Sequence, residues 1–228
     1  MRVLIIIPAY NEEDSIVDVI DNLKETNEDV DYVVINDCSK DGTRKLLLEK
    51  KLNHISLPQN LGIGGAVQSG YIYAREHGYD IAIQMDGDGQ HPAEEITKLV
   101  DPIMNGEADM VVGSRFVTKD GFQSTALRRF GIKFLSGLIK MRIHQRIYDV
   151  TSGFRAVNVK GIELFSNNYA QDYPEPESLI TAAKFGLRIC EVPVMMKERQ
   201  GGVSSISSFK SVYYMIKVSL AILLGGNY

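Results

Sequence analysis

The chain has 228 residues, 44% of them hydrophobic and 24% charged, with a formal net charge of −4. That length suits one large domain, or one domain with an appended arm, and the acidic balance argues against nucleic acid as a partner. Two cysteines, Cys38 and Cys190, form no metal-ligand spacing and fit a reducing cytosol. No stretch approaches the roughly 20 apolar residues needed to cross a bilayer, and a start that runs straight into a strand followed by Pro8 does not read as a signal peptide.

Strand-like and helix-like runs alternate through the first half. Residues 3–7 read as a strand, and 12–24 as an amphipathic helix with Ile16, Val19, Ile20 and Leu23 on one face. A second strand is expected at 31–35, a helix at 41–50, a short third strand at 54–57 and a helix at 64–77. The fourth strand, 80–85, is followed by a helix at 92–104 that opens with a proline and two glutamates, then by a fifth strand at 109–113. Strands separated by helical crossovers imply a mainly parallel sheet covered on both faces. The second half is less regular: a polar loop at 119–124, a basic amphipathic helix at 126–141, a strand at 155–157, a helix at 176–185 and a strand at 188–195. Residues 200–208 are rich in Gly and Ser, and the tail from 212 to 224 is apolar apart from Lys217. Residues 1–206 are therefore read as one α/β domain and 207–228 as a C-terminal helical arm.

The most informative segment is Ile83 to Pro92. A buried strand delivers Asp86 and Asp88, one residue apart, at its C-terminal end, and Gly87 and Gly89 let the backbone turn tightly there. Open α/β sheets bind ligands at such strand ends. Hard oxygen ligands with no nearby cysteine suit Mg²⁺ or Mn²⁺ shared with phosphates better than zinc. The plainer account is an acidic turn, since Asp and Gly are common turn residues. A dinucleotide-binding enzyme is disfavoured, because the turn after the first strand, Pro8-Ala9-Tyr10-Asn11-Glu12, has no glycine for the G-x-G-x-x-G fingerprint.

Pro8 to Glu12, Asp37 about thirty residues on, and Asp86-Gly87-Asp88 together resemble a family 2 glycosyltransferase, most nearly the polyprenyl-phosphate glycosyltransferases of the dolichyl-phosphate mannose synthase type. The likeness runs on through Asn60-Leu61-Gly62, Gly113 to Phe116, Asp149 to Arg155, Glu191-Val192-Pro193 and Arg199 to Ser204. It implies the glycosyltransferase A (GT-A) fold and an inverting, metal-dependent transfer of a hexose from a nucleotide sugar to polyprenyl phosphate, for cell-envelope glycan assembly. By that resemblance Pro8, Ala9, Tyr10, Glu12, Asp37 and Gly62 meet the donor, and Asp86 and Asp88, with Gln90 as a further ligand, hold Mg²⁺ or Mn²⁺ against its pyrophosphate. Arg115, Arg128, Arg129 and Ser152 take the acceptor phosphate, for which guanidinium forks are suited. Asp88, Arg155, Arg199 and Glu177 make up the expected catalytic set.

Some assignments have a rival. Asp37, Ser39 and Asp41 also read as a capped helix start; the resemblance makes Asp37 a ligand contact and Asp41 the cap. Glu175 and Glu177 both sit where relatives place an acid, and Glu177 aligns better by its distance to Glu191-Val192-Pro193. It would orient the donor or metal, or act as a base on a hydroxyl acceptor. A phosphomonoester, with its second pKa near ~6, is already mostly dianionic and needs no strong base. His91 reads as the start of a helix rather than a ligand. Ser205 stands where relatives carry a lysine, which hands that charge role to Arg199, a neighbour or the metal.

UDP is the favoured nucleotide, with glucose or N-acetylglucosamine ahead of mannose from GDP, and undecaprenyl phosphate the acceptor in a bacterial source. A glycosyltransferase acting on a hydroxyl in polysaccharide synthesis stays open, as does a non-catalytic nucleotide-sugar sensor, against which the complete metal and acceptor set speaks. Residues 126–146 gather Arg128, Arg129, Lys133, Lys140, Arg142 and Arg146 among Leu127, Phe130, Phe134, Leu135, Leu138 and Ile139, the pattern of a helix lying in an interface. The expected location is therefore cytoplasmic, peripheral at the inner membrane face. Anchoring falls to the apolar tail or to a small membrane protein, or the tail instead mediates a homo-oligomer; the alternative is that both segments pack into the domain's own core.

Overall fold

Helices on both faces cover a single sheet. The computed structural model describes residues 1–27, 30–118, 126–197 and 217–223, and for 126–128 the backbone alone. Strands β1 (Val3–Ala9), β2 (Asp31–Asn36), β3 (His54–Ser56), β4 (Ile81–Gln84), β5 (Met110–Ser114), β6 (Arg155–Asn158) and β7 (Ile189–Pro193) run in the order β3-β2-β1-β4-β6-β5-β7. All pairings are parallel except those of β6, which runs antiparallel between β4 and β5.

Alternation decides which side chain serves which face. In β1, Leu4 and Ile6 enter the core cluster on one side, and Ile5 and Ile7 the cluster on the other. All four are fully buried, each stabilising the fold by about 1.5–3 kcal/mol, which is why this strand reads as an unbroken apolar run. Helices α1 (Ile16–Thr26), α2 (Thr43–Glu49) and α4 (Ile96–Met104) cover the Ile5 side. Helices α3 (Gly62–Glu76), α5 (Ala126–Ile143), α6 (Val159–Asn167) and α7 (Pro174–Lys184) cover the Leu4 side.

Several boundaries differ from the sequence expectation, for local reasons. α1 begins at Ile16 rather than 12 because the backbone N–H groups of Glu12 and Glu13 donate to Thr43 Oγ1 and an Asp41 carboxylate oxygen across the neighbouring loop. The helix expected over 92–104 opens instead as a 3-10 turn, 93–95, before α4. α6 was absent from the expected elements. Its start is nonetheless written in the sequence: the Asn158 side chain accepts from Lys160 N and Gly161 N, an ordinary N-cap.

The two segments expected at a membrane divide their apolar residues. In α5, Leu135, Leu138 and Ile139 belong to the core, whereas Phe130, Phe134 and Met141 stay 71%, 50% and 62% exposed beside Arg129, Lys133 and Lys140. One face of this helix is thus domain core, contrary to an interface over all six expected positions. The tail is helical over 217–223, with Val218 and Ile222 buried in the same core cluster. Among the described residues no helix is long and apolar enough to cross a membrane. The loop 119–124, the Gly/Ser-rich 200–208 with Ser205, Arg199, and the side chains of Leu127 and Arg128 lie outside the described residues.

Candidate active site

Topology fixes where to look. From β1 the chain steps to β2 and β3 on one side, then returns to β4 on the other. The strand order reverses between β1 and β4, and a crevice forms over their C-terminal ends. Asp86 and Asp88 stand there. Met85 N still donates to Ile6 O, so the sheet holds the chain up to the first carboxylate. Gly87 then passes close to β1, where a Cβ would lie 3.2 Å from Pro8 O, and Gly89 has φ +77°, the left-handed region that favours glycine. Asp88 Oδ1 accepts from Gln90 N at 3.0 Å, closing the turn.

The two carboxylates differ in exposure. Asp88 is buried at 5% exposure, and Asp86 is partly open to the crevice. His91, itself buried, braces the loop: its Nδ1 accepts from Asp86 N at 3.0 Å and its ring stacks on Phe154 at 4.8 Å. It stands just before the 3-10 turn that leads into α4 and fixes the backbone under Asp86. Among the described residues no three His, Cys, Asp or Glu side chains converge as a preformed cage. Two carboxylates with Gln90 nearby suit a hard cation that completes its shell with water and substrate phosphate.

Next to this edge, the loops after β1 and β2 are stitched together. Asn11 N donates to Ser39 Oγ, Lys40 N to Asn11 Oδ1, Gly42 N to Glu13 Oε2, and Asp37 N to Ala9 O. Pro8 and Ala9 are buried at the strand end, while Tyr10 remains 42% exposed. Asp37 is 3% exposed, and its two carboxylate oxygens accept from Leu61 N at 2.7 Å and Gly62 N at 2.9 Å. It therefore caps α3, a role the sequence had offered only for α2; the oxygens' remaining lone pairs are what a ligand could use. Asp41 accepts from Thr43 N and Oγ1 at the start of α2, as the cap reading expects.

The arginines turn out differently from one another. The guanidinium fork of Arg115 is closed on Asp149, with Nε to Oδ2 at 2.7 Å and Nη2 to Oδ1 at 2.8 Å. Both residues are buried, and Glu191 holds the Asp149 backbone N–H at 2.8 Å. Burial and the neighbouring Asp149 push the Glu191 carboxyl above the usual range. Arg155 is 1% exposed and donates to Ser152 O, Glu175 O, Ser178 Oγ and Val150 O. These bonds tie the loop before β6 to the start of α7, while the catalytic reading had Arg155 reaching substrate. Ser152 is likewise buried, its Oγ accepting from Phe154 N. Arg129 is exposed on α5, where these three are buried.

The paired glutamates separate by environment. Burial raises the Glu175 carboxyl's pKa, opposed by Arg155 and reinforced by Asp86. Glu177 is raised by burial and then by Asp172. Asp86 and Arg155 thus enter the electrostatics of Glu175, and Asp172 that of Glu177. Distance to Glu191-Val192-Pro193, the signal used to prefer Glu177, does not report this.

Residues 4–165 match the profile of glycosyl transferase family 2. The chain belongs to that family. The UDP-N-acetylglucosamine–dolichyl-phosphate N-acetylglucosaminyltransferase of Methanococcus voltae is 31% identical over 249 residues, covering 97% of this chain and 98% of the relative. The undecaprenyl-phosphate mannosyltransferase of Micrococcus luteus is 30% identical over 216 residues, covering 91% and 88%. Glucosyl-3-phosphoglycerate synthase from Mycobacterium tuberculosis, solved with Mn²⁺, uridine-diphosphate and phosphoglyceric acid, has a TM-score of 0.75 at 19% identity, covering 98% of this chain and 77% of that one. The fold is the GT-A fold of family 2 glycosyltransferases. The family match takes in Asp37, Asp86, Asp88 and Arg155 but stops before Glu175. Sequence reasoning gave no role to Asp149, Glu191, Gln84 or Tyr169. Asp149 lay within a quoted motif, and a lone polar residue in the apolar run 81–85 was the available signal for Gln84.

Proposed function

We propose that the chain is an inverting hexosyltransferase that moves a sugar from a nucleotide sugar to a polyprenyl phosphate at a membrane surface. The observation that carries this reading is the Asp86–Asp88 pair at the β1/β4 crevice of a family 2 chain whose end-to-end relatives are named for lipid-phosphate acceptors. The favoured donor carries UDP, as in the name of the archaeal relative and in the complex with Mn²⁺.

In this reading Asp86 and Asp88, with Gln90, hold Mg²⁺ or Mn²⁺, which when bound supplies Lewis-acid neutralisation of the departing diphosphate. Pro8, Ala9, Tyr10, Glu12, Asp37 and Gly62 frame the nucleoside. Arg115 and Ser152, held in the 149–152 network, act chiefly by shaping the loop, which leaves direct contact with the acceptor phosphate to Arg128 and Arg129, and Arg199 to the donor side. Since the attacking phosphate oxygen is already anionic at neutral pH, Glu175 serves to orient rather than to deprotonate. The exposed face of α5, with Phe130, Phe134 and Met141 flanked by cations, lies on anionic lipid and brings the crevice to the headgroups. The chain then works as a peripheral protein on the cytoplasmic side.

One radiolabelled assay tests this. It offers UDP-glucose, UDP-N-acetylglucosamine and GDP-mannose with short-chain and long-chain polyprenyl phosphates, with and without excess chelator. The expected product is a lipid-linked hexose formed only with metal. A product formed solely on free saccharide hydroxyls would replace the acceptor assignment and call for a carboxylate base, the role first read for Glu177.

A further inference from the structure

Gln84 ends β4 two residues before Asp86 and is 1% exposed. Among the described residues its Nε2 is the one buried side-chain nitrogen or oxygen without a hydrogen-bond partner. Its Oε1 is engaged, accepting from the Tyr169 hydroxyl at 3.2 Å. That bond aims the amide nitrogen at the opposite side, where the pairing of Gln84 with Arg155 brings in Gly153. A Cβ built on Gly153 would lie 3.0 Å from Gln84 Nε2, 3.1 Å from Asp86 Oδ1 and 3.2 Å from Asp86 Oδ2. The unmet donor and the first carboxylate of the crevice therefore flank one point, kept open because residue 153 has no side chain. Chemistry fixes the amide's sense too: turned over, its carbonyl oxygen would face the carboxylate.

We infer that Gln84 is a positioning residue for Asp86, donating an amide N–H to its carboxylate when the site is loaded and so setting which oxygen faces the cation. Tyr169 holds the amide, and Gly153 leaves the path clear. Burying an amide whose N–H groups go unmet is unfavourable in an apolar strand of Ile81, Ala82, Ile83 and Met85, and a carboxylate that ligates a metal is ordinarily fixed by such a second bond. The inference rests on the cation reading of Asp86 and Asp88.

The test is Mn²⁺ uptake by the full chain in the presence of UDP, followed by electron paramagnetic resonance of free Mn²⁺, beside a thermal melt. Gln84→Met should weaken Mn²⁺ uptake about tenfold with the melting temperature level or raised; a merely structural amide would show the reverse. Gln84→Met with Tyr169→Phe, which leaves no orphan hydroxyl, should bind Mn²⁺ as weakly as Gln84→Met alone. Tyr169→Phe by itself removes one oxygen, keeps the fold testable if Gln84→Met does not, and should give a smaller loss in the same direction. Unchanged Mn²⁺ affinity in folded Gln84→Met, or in Tyr169→Phe where only that variant folds, overturns the inference while leaving the cation site standing. A wild-type chain that takes up no Mn²⁺ with UDP overturns both.

Discussion

Asp88 sits deep in its turn and Asp86 at the crevice, yet both carboxylates are needed if a cation bridges protein and pyrophosphate. Asp88→Ala should lower turnover by more than the ~10–100-fold that the loss of an outer-shell partner brings, with the circular dichroism of a folded chain retained, and chelation should reproduce the effect in the wild type. Full activity in excess chelator would end the cation reading. Arg115 calls for a different measurement, because its fork is closed on Asp149. Arg115→Met leaves a buried carboxylate unpaired and should destabilise by about 3–5 kcal/mol in urea unfolding. A variant that keeps its stability but loses acceptor affinity would return Arg115 to the phosphate. Glu175 gives the pH dependence. Its carboxyl is raised by burial, so its stabilisation is full below the ordinary glutamate pKa and is lost as pH rises through the raised value. Glu175→Gln should therefore melt above the wild type at pH 8, the gap closing as the pH falls toward 4.5. A gap that does not change with pH would mean that the carboxylate is well solvated, and one of the opposite sign that Arg155 outweighs burial.

Among the elements, β6 decides how the second half of the sheet is built. Asp109 fastens the end of the sheet away from the crevice, accepting from Arg188 N and Nε on the approach to β7 and from Asn158 Nδ2 at the end of β6. Arg188 holds its carboxyl well below the usual range. That contribution is present above the ordinary aspartate pKa and lost as pH falls toward the lowered one. Asp109→Asn should thus lower the melting temperature at pH 7, with a difference that narrows progressively below about pH 4; a constant difference would leave the ion pair without weight. The parallel half was legible because β1 and β4 are buried apolar runs and β2 is buried over its last four residues, with helices between them, and Asp86-Gly87-Asp88 announced its own turn. The antiparallel sense of β6 was not, since four residues, Arg155–Asn158, carry no periodicity that distinguishes direction. Burial likewise hid from the sequence that Arg155 faces carbonyls rather than solvent. An arginine looks the same in either place until its loop is folded around it.

For the whole molecule, the open question is contact with a bilayer, because a polyprenyl acceptor would not leave one. With Leu135, Leu138 and Ile139 committed to the core, only the other face of α5 is available. Phe130→Glu with Phe134→Glu should abolish co-flotation with anionic liposomes at low salt while leaving the melt unchanged. Flotation that survives both changes would move the contact elsewhere on the surface. The antiparallel β6 has a last consequence, for the order in which the molecule is made. Strands β1 to β4 and their helices emerge from the ribosome first. The segment that ends beside Asp86, Ser152 to Arg155, arrives only after α5 has been synthesised, and it enters the sheet from the crevice edge. A nascent chain therefore carries both aspartates before the wall behind the first of them exists.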